Sequence, residues 1–156
     1  MNDVHYSSAS NEWETPKALF DEYNATYHFQ LDAAATKENA LCKTFFTIED
    51  DALTKDWSIY RSVWLNPPYG RIIGKFMKKA WEESKKGCVV VCLIPARTDT
   101  AYFHDYCLKY GKVKFLRGRI KFINRLLPSY RSDGNFKSSP APFPSCIVVF
   151  NGNSEN

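Results

Sequence analysis

Residues 88–95 read CVVVCLIP, an apolar run without interruption. A strand with one wet face alternates apolar and polar side chains. A continuous run rich in β-branched residues instead predicts a strand covered on both faces, as in the sheets of α/β proteins. The residues before it, RIIGKFMKKAWEESKKG (71–87), predict a helix. Ile73, Phe76, Met77, Ala80 and Trp81 fall on one face, Lys75, Lys78 and Lys79 make the wet side, and Gly87 suits the end. Ahead of that helix, SVWLN (62–66) predicts a second apolar strand. Strands alternating with helices indicate an α/β sheet with parallel pairing.

The pattern extends in both directions. Thr15 is placed to cap a helix beginning at Pro16, whose apolar residues Leu19, Phe20, Tyr23 and Tyr27 recur at helical spacing. FQLDAA (29–34) and CKTFFT (42–47) predict short strands. Downstream, DTAYFHDYCLKYG (99–111) predicts a helix capped by Asp99, and KVKFL (112–116), RIKFI (119–123) and SCIVVF (145–150) predict strands. Helices thin out toward the C-terminus, so the sheet is expected to be mostly parallel with an antiparallel C-terminal strand. The segment 124–144 is polar and rich in Pro, Ser and Gly, a loop long enough to suggest function or mobility. One domain over residues 1–156 is expected, with loose ends at 1–11 and 151–156.

Composition narrows the class. The 156 residues are 44% apolar and 15% aromatic, a globular balance. A net charge of +4 permits contact with a polyanion without demanding it. No apolar run reaches the length of a membrane span, and the first residues, MNDVHYSSASNE, have no signal-peptide core. The cysteines, Cys42, Cys88, Cys92, Cys107 and Cys146, are odd in number and read as reduced thiols of a cytoplasmic protein. His5, His28 and His104 are scattered, so no structural metal is expected.

In open α/β sheets, ligands bind beyond the carboxyl ends of the strands. Three predicted strands carry suggestive groups there: Asp32, Asn66–Tyr69 and Pro95–Arg97. The second is the sharpest. In VWLNPPYG (63–70) two prolines follow a buried strand, and proline fixes φ and donates nothing to a ladder, so the chain leaves through a stiff turn. The Asn66 side-chain oxygen and a proline-turn carbonyl are both acceptors. Together they can take both hydrogens of an NH2 group and leave its nitrogen lone pair less delocalised. That is orientation and preorganisation, with no covalent intermediate. Tyr69 can stack on a flat ring, worth about 1–3 kcal/mol for a base, which offsets much of the few kcal/mol needed to extrude one from a duplex. A proline-rich turn is also an ordinary strand exit. The adjacent Tyr69 and the acid at an earlier strand end favour the functional reading.

NPPY after an apolar strand resembles the signature of amino-group methyltransferases that use S-adenosylmethionine. More specifically, several blocks resemble, in order, the phage-type DNA N6-adenine methyltransferase (Dam) family. They are NEWETPKALFDEYN (11–24), FQLDAAATKENALCKTFFT (29–47), DALTKDW (51–57), NPPYG (66–70), LIPARTDTAYFHDY (93–106), LRGRIKF (116–122) and PAPFPS (140–145). NPPY alone is shared by DNA, RNA and protein methyltransferases, whereas the full set of blocks is far more specific. The resemblance implies a Rossmann-like class I methyltransferase sheet and site-specific methylation of adenine N6 in DNA. It also implies S-adenosylmethionine as cofactor, with S-adenosylhomocysteine as product. A phage or prophage origin follows by the same route, hence action in the cytoplasm of a bacterial host and a role in self-protection against restriction.

Carried onto this sequence, the resemblance gives Asn66, Pro67, Pro68 and Tyr69 the target adenine: Asn66 and the Pro67 carbonyl accept the amino hydrogens, and Tyr69 stacks. Trp13, Thr15 and Pro16 correspond to the block that contacts the methionine part of the cofactor. The hydroxyl of Thr15 beside a helix N-terminus suits a carboxylate. Asp32 is similar to the family's strand-end acid, which pairs with the cofactor ammonium or approaches its sulfur. No glycine-rich loop follows, so Ala33 and its neighbouring alanines must let the cofactor approach. Asp51 resembles the acid that accepts from the cofactor adenine, with Glu49 and Asp50 as competing candidates for this or for the ribose. Arg97, Arg119, Lys121, Tyr130 and Arg131 are candidates for DNA contact, part of a basic face with Arg117, Arg125 and Lys137 and interleaved aromatics. A methyltransferase acting on an RNA base or a protein glutamine amide, and a DNA-binding relative without catalysis, stand as alternatives. The recognition sequence and oligomeric state are left open.

Overall fold

The computed structural model describes residues 13–123 and 138–152. Helix α1 (Lys17–Tyr27) leads to strand β1 (Leu31–Asp32). Short 3-10 turns at Ile48–Asp50 and Ala52–Thr54 precede β2 (Ser62–Leu65), α2 (Ile73–Ser84) and β3 (Val89–Pro95). A helical segment α3 follows, wound as a π-helix over Phe103–Leu108, and then β4 (Lys112–Phe115), β5 (Lys121–Ile123), β6 (Ser138–Pro140) and β7 (Ser145–Asn151).

A five-stranded sheet runs in the order β1-β2-β3-β7-β4. β1, β2 and β3 are parallel, and β7 enters antiparallel between β3 and β4. The predicted fold class therefore holds at this level: mixed α/β, mostly parallel, with an antiparallel C-terminal strand. The register explains why β3, and β2 after Ser62, are apolar. Trp64 pairs with Val91, and Leu93 with Ile147. These residues turn to one face, where Phe20 of α1, Phe122 and Phe143 cover them. Val63, Leu65, Val90, Cys92 and Val148 turn to the other, under Phe76 and Met77 of α2 and Phe103 of α3. Successive side chains along a strand alternate faces, so a sheet covered on both sides must be apolar at every position.

Several predicted elements differ. FQLDAA shortens to Leu31–Asp32, and CKTFFT forms no strand: it touches β1 only through a bridge between Phe45 and Asp32. The Asp32 N–H donates to Thr44 O at 3.0 Å, the Phe46 N–H to Asp32 O at 3.0 Å and the Ala35 N–H to Phe46 O at 2.9 Å, a contact too short to make a strand. Thr15 does not cap α1. Pro16 holds the cap position without a side-chain hydrogen bond, because the Thr15 hydroxyl is turned to Asn66. RIKFI is a strand over Lys121–Ile123, outside the main sheet. It pairs with β6 and, through Ile123, with Glu14, so part of the predicted 124–144 loop is β-structure. Trp81 is half-buried, its ring stacked on Tyr110 at 4.1 Å. Lys79 is drawn off the wet side: its side chain keeps 16% exposure, beside Glu83 and over the Trp57 ring.

All the cysteines are free thiols, and burial pushes those of Cys107 and Cys146 up to about 12, which removes them as thiolate nucleophiles. Among the described residues no cluster of His, Cys, Asp or Glu suits a metal, and no helix is long and apolar enough to cross a membrane.

Candidate active site

Because β1, β2 and β3 run parallel, their carboxyl ends lie along one edge of the sheet, and each delivers its polar group there. β2 delivers Asn66. Its Nδ2 donates to Trp13 O at 2.6 Å and to Thr15 Oγ1 at 3.0 Å. A backbone carbonyl can only accept, so the amide must face it with nitrogen. That leaves Asn66 Oδ1 as the free acceptor of the amide, buried without a hydrogen-bond partner. Pro67 and Pro68 are buried, so the turn after Asn66 is pinned on both sides of its backbone. Gly70 closes it at φ 113°, a conformation that a side chain strains.

β1 delivers Asp32, which is 3% exposed. Oδ2 accepts from the Leu41 N–H at 3.1 Å, while Oδ1 is buried without a partner. Burial drives its carboxyl up to about 7, against the opposing effect of backbone N–H groups of Leu41 and Ala34. A carboxylate in this state is stabilised by a positive group placed beside it. Asp32, Asn66 and Thr15 border one small cavity of about 10 Å³, room for one water-sized group. Two unsatisfied oxygens at so small a space suit hydrogen-bond donors, and the carboxylate suits a cation.

Ala34 also borders a larger cavity of about 460 Å³. Ala33, Phe46, Ile48, Leu53 and Pro68 form its apolar walls, and Glu49 and Asp51 its acidic rim. This size and lining fit a small organic ligand with a few polar anchors. The three competing acids separate. Asp50 is committed to a capping box, its Oδ2 accepting from the Thr47 N–H at 2.7 Å and from the Thr47 hydroxyl at 3.1 Å. Glu49 and Asp51 remain at the cavity. Asp51 is held at φ 53°, and the carbonyl of the next residue, Ala52, accepts from the Trp57 indole N–H at 2.9 Å.

Tyr69 sits in an aromatic cluster. Its ring lies 6.3 Å from Trp13 and nearly parallel to it, with Phe122 and Phe143 edge-on to both. Its hydroxyl donates to Leu93 O at 3.2 Å, and burial raises its pKa well above the usual tyrosine value. It is therefore an uncharged ring at neutral pH.

Residues 5–146 match the family described as DNA N-6-adenine-methyltransferase (Dam). The chain belongs to this family. Among its relatives are the DNA N-6-adenine-methyltransferase of Escherichia phage T1, 38% identical over 94 residues, and that of Haemophilus phage HP1, 33% identical over 116 residues. These alignments take in 60% and 72% of this chain, and the chain spans 39% of the first relative's length and 66% of the second's.

In this Dam-family chain the structure gathers Asn66, Pro68, Asp32, Ala33, Thr15 and Asp51 around the two adjoining cavities. Trp13 and Pro16 line neither. Trp13 contributes its carbonyl to Asn66 and its ring to the aromatic cluster. Arg97 lies over the Phe143 ring at 5.6 Å, next to that cluster. Arg119 and Lys121 are exposed at β5, whose Phe122 packs against Tyr69. Tyr130 and Arg131 lie outside the described residues, as do Arg125, Lys137 and the end segment 1–11. Sequence reasoning missed Phe46, Ile48 and Leu53 as cavity walls, because scattered apolar residues in irregular chain carry no periodic signal.

Proposed function

We propose that this chain transfers a methyl group from S-adenosylmethionine to the 6-amino group of an adenine extruded from DNA, on a Rossmann-like class I sheet forming one domain. The observation that carries the reading is the Asn66 amide, locked through its nitrogen so that a partnerless oxygen is presented at the end of β2. When bound, S-adenosylmethionine supplies a methyl group activated by a positively charged sulfur. The 460 Å³ cavity would hold its nucleoside, with Glu49 and Asp51 as acceptors for the ribose hydroxyls and the adenine amino group. Asp32 would hold the ammonium, and this is the chemistry that its buried, partnerless Oδ1 and raised pKa favour.

Asn66 Oδ1 and the Pro67 carbonyl accept the two hydrogens of the target amino group. This directs the nitrogen lone pair away from the ring and toward the methyl donor. Tyr69 offers a neutral ring to the extruded base. No side chain at the turn acts as a strong base, and the amino nitrogen sheds one proton to water after the new N–C bond has formed. The basic residues Arg97, Arg119 and Lys121 support a polyanionic substrate, and with it a place inside the bacterial host cell.

The test is transfer of methyl label from S-adenosylmethionine to duplex DNA, beside a matched duplex lacking adenine. Label in the adenine-containing duplex alone is expected. Asn66→Ala should abolish it while S-adenosylhomocysteine still binds, since Asn66 Oδ1 is the acceptor for the target amine and Asp32, Glu49 and Asp51 keep the cofactor contacts. Label found only in RNA or in protein glutamine would replace this reading with the corresponding one.

A further inference from the structure

A second concavity flanks the same turn. Pro68 and Ile72 wall the 460 Å³ cavity, whereas Gly70 and Ile73 wall a separate groove of about 400 Å³, and the two share no lining residue. The groove lies between the start of α2, the end of β3 and the entrance to α3, and its charged members are Arg71 and Arg97.

The ion pairs of the described residues join Lys17 to Asp21, Lys78 to Glu82, and Lys79 and Lys86 to Glu83. Arg71 and Arg97 are exposed and form none. Arg97 is oriented by its place over Phe143, which in turn lies 5.7 Å from Tyr69. In this groove Gly70 leaves the backbone open, since a Cβ built on it meets nothing within 4 Å, whereas one on Gly74 meets the Cβ of Tyr102 at 3.3 Å, a close approach of α2 to the start of α3. A planar guanidinium fork matches phosphate oxygens in charge and shape. Extruding a base rotates it about its own backbone, so a protein that holds the extruded state must grip the phosphates beside it.

We propose that this groove binds the DNA phosphodiester next to the extruded adenine, with Arg71 and Arg97 supplying the charged hydrogen bonds. The assignment rests on the proposed methylation of DNA adenine. It adds a substrate contact on the side of the turn away from the cofactor, and it brings in Arg71, which no motif marks.

Binding of an adenine-containing duplex is measured by fluorescence anisotropy over a salt series, for the wild-type chain, Arg71→Gln and Arg97→Gln. Each variant should lose affinity equally across sequences and lower the slope of log K against log salt by about 1. S-Adenosylhomocysteine affinity and melting temperature should stay as in the wild type, because both side chains are exposed and outside the cofactor cavity. The position of the contact is tested with duplexes whose phosphates flanking the adenine are neutral methylphosphonates. The wild type should lose affinity on such a duplex, and each variant less than the wild type, because one of its two contacts is already gone. Wild-type slopes in both variants, or losses that add to those of the methylphosphonates, overturn the groove assignment while methylation by the wild type stands. A wild-type chain that neither binds nor methylates DNA overturns the reading beneath it as well.

Discussion

Replacing Trp57 with Phe tests how the acidic rim of the large cavity is held. The Trp57 ring is fully buried. Its indole N–H donates to Ala52 O at 2.9 Å, and its backbone N–H donates to Glu83 Oε1 at 2.5 Å. Glu83 is itself buried and is anchored by Lys86 and Lys79. The result is a strut from α2 to the residue after Asp51, whose left-handed backbone is disfavoured by about 1–2 kcal/mol. Phe keeps the backbone hydrogen bond to Glu83 but leaves the Ala52 carbonyl without its partner, which costs about 1–3 kcal/mol. The smaller ring adds about 1 kcal/mol of unfilled volume. The expected loss of stability is therefore about 2–4 kcal/mol, within what a domain of about 5–15 kcal/mol survives. If about 1.4 kcal/mol of this appears as freedom at Asp51, cofactor affinity falls roughly tenfold. Chemical denaturation gives the first quantity and calorimetry with S-adenosylhomocysteine the second, on the same preparation. Unchanged affinity in a destabilised variant would refute the strut as a device that positions the rim and leave it a core contact.

Two further outcomes follow from single groups. Asp32 keeps its proton up to about pH 7 in the folded chain, against 3.8 ordinarily. Between these values the folded state binds more protons than the unfolded one, so its contribution to stability falls as pH rises through that window and is level above it. Asp32→Asn should flatten this slope in melting curves, raise the melting temperature of the ligand-free protein at neutral pH, and weaken S-adenosylhomocysteine binding; a variant that melts lower at neutral pH contradicts the assignment. Gly70→Ala should cost about 1–2 kcal/mol in chemical denaturation through its positive φ alone, because the new Cβ would touch nothing within 4 Å. No measurable cost would mean that the turn has an alternative, relaxed geometry.

The parts of the fold readable from sequence were those where one force dominates. CVVVCLIP and the VWL of β2 are apolar because both faces are covered, and α2 shows its buried side through Ile73, Phe76, Met77 and Ala80. The NPPYG turn was readable because proline and glycine dictate backbone shape by covalent geometry. Tertiary partners decided the rest. Thr15 has the look of a helix cap, yet a longer-range demand from Asn66 takes its hydroxyl. Glu49, Asp50 and Asp51 are indistinguishable in composition, and a local capping box with Thr47 removes Asp50 from the cavity. Glu83 reads as a surface acid of a helix, and only the chain folding back through Trp57 makes it a buried anchor. Arg71 sits among helix-start residues with nothing in the sequence to set it apart.

The placement of β7 has a consequence for the order in which the sheet is assembled. This strand follows β4 in the chain, yet it occupies an interior position, flanked by β3 and β4. Until it arrives, β3 offers an unsatisfied apolar edge and β4 has no neighbour to join. The β3 end that carries Pro95 and accepts from Tyr69 through Leu93 is therefore completed only when Ser145 and Ile147 dock beside it. A chain cut before β7 keeps the NPPYG sequence but lacks the wall that steadies it, so the turn should take its shape only once β7 has docked.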